Sequence, residues 1–84
     1  MAEARVTFAA AVARNVRAER VFQNLTQVQL GERVGLAGGT ISDIETGRRT
    51  LTADDLPLLC EGLGVSLAEL ARRADPKYLR ALGL

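Results

Sequence analysis

The chain has 84 residues, 48% of them apolar and 25% charged, which suffices for one compact domain over 1–84 and is too short for two. Disorder is excluded by that composition, and no apolar run approaches the ~20 residues of a membrane span. The single cysteine, Cys60, excludes an internal disulfide, and the absence of histidine excludes a histidine-based triad or zinc site, so no cofactor and no enzyme chemistry are expected.

A net charge of +1 decides little, so the distribution of charge matters more. Ten of the eleven cations are arginine, and Arg14, Arg17, Arg20, Arg33, Arg48 and Arg49 fall in the first sixty residues. An arginine fork suits phosphate, although a solvated helix face accounts for most such residues. Behind Met1 to Arg5, the apolar stretch Phe8 to Ala13 is interrupted by Arg14 and Arg17. A secretory signal is therefore not expected, and the expected location is cytoplasmic.

Phe8, Val12 and Val16 recur every four residues and predict a first helix from about Val6 to Phe22, with Asn24 suited to a left-handed position after it. Phe22 lies beyond the last core position, and a packed helix terminus is expected over an exposed contact. Thr26 is placed to cap a second helix, Gln27 to Val34, in which Val28, Leu30 and Val34 supply apolar contacts before Gly35 stops it. A third helix, Gly38 to Thr46, carries Ile41 and Ile44 and ends at Gly47. So short a link between two helices sharing an apolar seam is what a helix-turn-helix over 26–46 requires.

Thr52 or Asp54 is placed to cap the fourth helix. Pro57, tolerated only in a first turn, sets its start near Asp54. Leu56, Leu59, Cys60 and Leu63 line one side up to Gly64, and Cys60 there reads as a small core residue. Ser66-Leu67-Ala68-Glu69 is a capping box opening a fifth helix to about Ala74. Asp75-Pro76 then opens a short sixth, Lys77 to Leu82. No strand-like alternation, repeat or low-complexity linker is visible. The fold class expected is all-α.

Leu25-Thr26-Gln27-Val28-Gln29-Leu30-Gly31 resembles the lambda-repressor and Cro type of helix-turn-helix family. Gly35-Leu36-Ala37, Thr40-Ile41-Ser42, Ile44-Glu45, Gly47, Arg49 and Leu63-Gly64-Val65-Ser66-Leu67 fall at the family's spacings, so the resemblance covers most of the chain. It implies a five-helix DNA-binding domain with a short additional C-terminal helix, whose recognition helix is Gly38 to Thr46. It also implies a phosphate contact for Gln27 and an ion pair between Arg20 and Glu45. Free amides and the positive dipole end at the starts of the second and third helices suit phosphate independently. Thr40, Thr46, Arg48 and Arg49 complete the candidate phosphate contacts.

The residues implied for base readout are Gly38, Gly39 and Asp43, with Ser42 beside them. Two glycines offer no side-chain donor, and Ala37 stands where a hydroxyl cap is usual in the family. Three readings stay open. Specificity falls to Thr40, Ser42, Asp43 and nearby loops; or the glycines admit close backbone approach with Asp43 accepting from a cytosine amino group; or DNA shape or a protein partner supplies selectivity. Leu67, Leu70, Tyr78, Leu79, Leu82 and Leu84, in a region spanning 66–84, either close the core over the first helix or form a two-fold interface.

The resemblance thus implies a sequence-specific regulator of double-stranded DNA, of the phage-repressor or restriction-control size class, acting as a homodimeric repressor by steric exclusion. The alternative is an antitoxin or adaptor that uses the same fold to hold a protein partner.

Overall fold

The computed structural model describes residues 6–84, so Met1 to Arg5 and their reading as signal-free lie outside it. Six helices follow one another: α1 Phe8–Phe22, α2 Gln27–Val34, α3 Gly38–Thr46, α4 Asp55–Leu63, α5 Leu67–Leu70 and α6 Pro76–Leu82. Among the described residues there is no strand, and the fold is all-α.

The core draws on five helices: Val12 and Val16, Leu30 and Val34, Ile41 and Ile44, Leu59 and Leu63, and Leu70. Each fully buried aliphatic side chain contributes about 1.5–3 kcal/mol relative to exposure, so this small set supplies much of what stabilises a short chain. Phe8, Leu56 and Cys60 are only partly buried and pack against its edge.

α1 starts two residues later than Val6 because Thr7 accepts from the Ala10 amide at 3.1 Å and caps the helix. The Val6 carbonyl instead accepts from the Asp75 amide at 2.8 Å, which ties the chain before α1 to the start of α6. Phe22 is 83% exposed, contrary to its expected packing at the helix terminus. From Val16 it lies about 240° around the helix, well off the stripe that faces the core. Val28, expected to supply apolar contact, is 61% exposed. Leu30, Gly31 and Val34 form the buried face of α2.

α5 is one turn long and does not reach Ala74. The reason lies in α1, where buried Asn15 donates Nδ2 to the carbonyls of Leu70 at 2.8 Å and Arg72 at 3.0 Å. Those acceptors are withdrawn from a continuing helix. Arg73 then takes φ +69°, and the Ala74 amide closes a turn onto Ala71. Leu70 itself is fully buried, so it belongs to the core of the chain and not to an interface.

α4 begins at Asp55, but Asp54 makes no capping hydrogen bond. Thr52 caps the helix in its place, since its hydroxyl accepts from the Asp55 amide at 3.2 Å while the Asp55 carboxylate accepts from the Thr52 amide at 2.9 Å. Asp55, which makes this reciprocal pair with Thr52, is buried.

α2 and α3 meet closely because Gly31 has no side chain: a Cβ there would collide with the Leu36 carbonyl. That carbonyl belongs to the turn, whose Leu36 amide donates back to the Gly31 carbonyl at 2.9 Å.

Candidate nucleic-acid interface

The candidate interface is built from two helix starts. Thr26 accepts from the Gln29 amide at 3.0 Å and Gln29 Oε1 accepts from the Thr26 amide at 2.8 Å, a complete capping box. The amides of Gln27 and Val28 are left without helical acceptors, as the first turn of any helix dictates. α3 has no such device: Ala37 offers no side-chain cap, and only its carbonyl engages, accepting from Thr40 at 2.9 Å and Ile41 at 3.2 Å.

What orients α3 is a charge cluster at its far end. Arg20 donates Nε to Glu45 Oε2 at 2.6 Å and Nη2 to Oε1 at 3.0 Å, and its Nη1 goes to the Leu25 carbonyl at 2.8 Å. The two side chains are 12% and 3% exposed. The hydrogen bond to Glu45 holds the Arg20 guanidinium above its ordinary value, against the opposing effect of burial. Gln27 joins the cluster, donating Nε2 to Glu45 Oε1 at 3.2 Å. One carboxylate thus connects the end of α1, the start of α2 and the end of α3.

The two glycines of α3 have different reasons to be glycine. A Cβ at Gly38 would sit 2.8 Å from Val28 Cγ2 and 3.2 Å from its Cα, whereas one at Gly39 would meet nothing within 4 Å. Gly38 is a packing residue that lets α3 start against α2. Gly39 borders open space. Thr40, Ser42 and Asp43 are half-buried along the same helix.

Arg48 is exposed and has no ion-pair partner among the described residues. Arg49 is committed elsewhere: its Nη2 donates to Asp55 Oδ1 at 3.1 Å, and its Nε is buried without a partner. Its amide also donates to the Asp43 carbonyl at 3.1 Å. Arg49 therefore braces the loop between α3 and α4, while its side chain stays 37% exposed. Thr46 is exposed, and its hydroxyl donates to the Ser42 carbonyl one turn back at 2.9 Å.

Burial alone would push the Asp55 carboxyl up, but the Thr52 amide and the Arg49 guanidinium outweigh it and hold the group below the ordinary carboxylate value. The Cys60 thiol is pushed up by burial and by Glu69, which suits an unreactive packing residue. No cluster of metal-ligating side chains occurs among the described residues, and none of their helices is long and apolar enough to cross a membrane.

Sequence reasoning missed Asn15 and Asp55 as organisers of the frame. Thr52 three residues before Asp55 was the available signal for the second; a mid-helix asparagine gave none for its distant acceptors.

Leu67, Tyr78 and Leu79 are half-buried, while Leu82 is 52% and Leu84 43% exposed. Phe8, Leu56, Leu67, Tyr78, Ala81 and Leu82 line an apolar cleft of about 300 Å³. These residues remain available for contact in a way that Leu70 is not.

A short capped helix, a tight glycine turn and a second helix braced by a buried ion pair define a helix-turn-helix protein. Residues 16–70 match the helix-turn-helix family HTH_3, and the chain belongs to that family. Control protein C.SmaI of Serratia marcescens is 37% identical over 66 residues, 79% of each chain. Among solved structures, the clp gene regulator ClgR of Corynebacterium glutamicum is similar with a TM-score of 0.76 and 25% identity, over 95% of this chain and 86% of that one. The restriction-modification controller C.AhdI of Aeromonas hydrophila shares the fold with a TM-score of 0.69 at 22% identity, over 74% of this chain and 94% of that one. The protein is a DNA-binding transcriptional regulator.

Proposed function

We propose that the protein is a cytoplasmic repressor without enzymatic activity that binds a palindromic operator as a homodimer. Each protomer places α3 in the major groove, with the two recognition helices about 34 Å apart on successive turns of the duplex. Occupancy of a promoter then excludes polymerase. The reading is supported by the names of the relatives, which include restriction-modification controllers. The observation that carries it is the Arg20–Glu45–Gln27 cluster, which fixes α3 relative to the start of α2.

In this reading the α2 amides, Gln27, Thr40 and Arg48 take phosphate, where charge-assisted bonds set register without reading sequence. Gly39, Ser42 and Asp43 face base edges, and Gly39 lets the backbone approach closely. Asp43 accepts from the cytosine amino group, the base-edge donor that has no acceptor of the same base beside it in the major groove. The partner protomer covers Leu67, Tyr78, Leu79, Leu82 and Leu84.

Selection of bound duplexes from a random library tests the reading. Recovery of one inverted repeat, bound by two protomers and weakened by inserting half a helical turn between its halves, is the expected result. Enrichment of no sequence, with affinity indifferent to salt, would favour the adaptor alternative, because phosphate contacts release counterions on binding.

A further inference from the structure

One cationic face of α1 lies outside the helix-turn-helix frame. Arg14 and Arg17 lie one helical turn apart, so their side chains share a face. Both are exposed, and neither has an ion-pair or hydrogen-bond partner among the described residues. Together with Ala10 and Ala13 they form one wall of a cleft of about 310 Å³ whose other wall is Glu45, Thr46 and Gly47 at the end of α3.

The acid in that cleft is already neutralised. Glu45 is 3% exposed, and Arg20 donates to both of its oxygens. The remaining acid of this part of α1, Glu19, pairs with Arg72 at 3.5 Å. The cleft therefore presents two uncompensated guanidinium groups beside the C-terminal end of the recognition helix, with exposed Arg48 following Gly47 in the chain. Small alanine side chains leave the wall open, so an anion can approach between the helices.

We propose that Arg14 and Arg17 bind successive phosphates of the DNA backbone flanking the stretch contacted by α2 and α3, extending the grip from the helix-turn-helix onto α1. This rests on the DNA-binding reading above and adds two backbone contacts per protomer to it. The occupant is a nucleic-acid backbone because the cationic groups are paired in a row and open to solvent. A guanidinium fork matches phosphate oxygens in geometry as well as charge.

The test compares the wild type with Arg14→Gln/Arg17→Gln and Arg14→Lys/Arg17→Lys on one duplex recovered by selection, at salt concentrations from about 50 to 200 mM. Each lost phosphate contact reduces the slope of log affinity against log salt by about 0.9, so the glutamine variant is expected to be shallower by about 1.8 per bound protomer. The wild type's advantage over it then shrinks about twelvefold per bound protomer across that salt range, about 150-fold for two protomers on one duplex. The lysine variant keeps the slope. Neutral methylphosphonates at the flanking phosphates are expected to weaken the wild type and leave the glutamine variant unaffected.

An unchanged slope in the glutamine variant overturns the proposal while leaving DNA binding by α2 and α3 intact. Failure of the wild type to bind DNA overturns both. The substituted side chains are exposed and unpartnered, so an unchanged thermal midpoint accompanies the supporting result. A shallower slope seen only together with a lowered midpoint counts against a direct contact.

Discussion

Arg20 grips both carboxylate oxygens of Glu45 across the gap between α1 and α3, and Gln27 adds a third donor to the same group. Because the carboxylate is almost wholly buried, removing the arginine leaves a charge that water cannot reach. Glu45→Ala and Arg20→Ala are each expected to cost about 3–5 kcal/mol, the range for orphaning one member of a buried pair. Urea unfolding measures this, and the double substitution should cost much less than the sum of the two. Losses below about 1 kcal/mol for both would place the pair among surface bridges.

Asp55 makes stability depend on pH. Its carboxyl titrates below the ordinary value in the folded chain, so the unfolded state binds protons first as acid is added. The stabilisation it brings is present above about pH 4, the unfolded carboxylate's value, and is lost as pH falls through the folded one. Asp55→Asn is therefore expected to lower the urea midpoint near neutral pH and to differ less from the wild type at about pH 3, below the unfolded value. An equal difference under both conditions contradicts this.

Adjacent arginines in the loop after α3 should separate cleanly. Arg49→Ala removes the partner of Asp55 and is expected to lower the thermal midpoint while changing the salt slope of DNA binding little. Arg48→Ala is expected to leave the midpoint alone and reduce the slope by about 0.9 per protomer. The reverse pattern would return Arg49 to the phosphate set.

Gly31 and Gly39 are both helical, yet alanine should act oppositely at the two. At Gly39 it meets open space and gains helix propensity, so a stabilisation of up to about 1 kcal/mol is expected, with weakened DNA binding if the backbone approaches a base edge there. At Gly31 it meets the Leu36 carbonyl, and overpacking of about 1–3 kcal/mol outweighs the propensity gain. Thermal melts of the two variants decide it; the same sign at both positions would be inconsistent with the packing described.

Much of this frame was legible in the sequence for local reasons. Gly35, Gly47 and Gly64 end their helices with positive φ, and Ser66 with Glu69 closes the capping box its spacing announces. What stayed hidden depends on contacts made at a distance. Asn15 shortens α5 from fifty-five residues away, and no local pattern near Ala71 signals it. The Arg49–Asp55 pair depends on the path of the intervening loop. Val28 and Phe22 are plainly apolar, but exposure is decided by which neighbours arrive: Phe22 stays 83% exposed, and Val28, with only Gly38 close against it, stays 61% exposed. Gly38 and Gly39 looked equivalent because only the position of Val28 distinguishes them.

Sequence reading by a braced α3 in the major groove is tested most directly by the ratio of affinities for the selected operator and a scrambled duplex of equal length at physiological salt. A ratio of about 10³ or more is the predicted result, in the range of specific regulators. A ratio near one, with both duplexes bound, would contradict it.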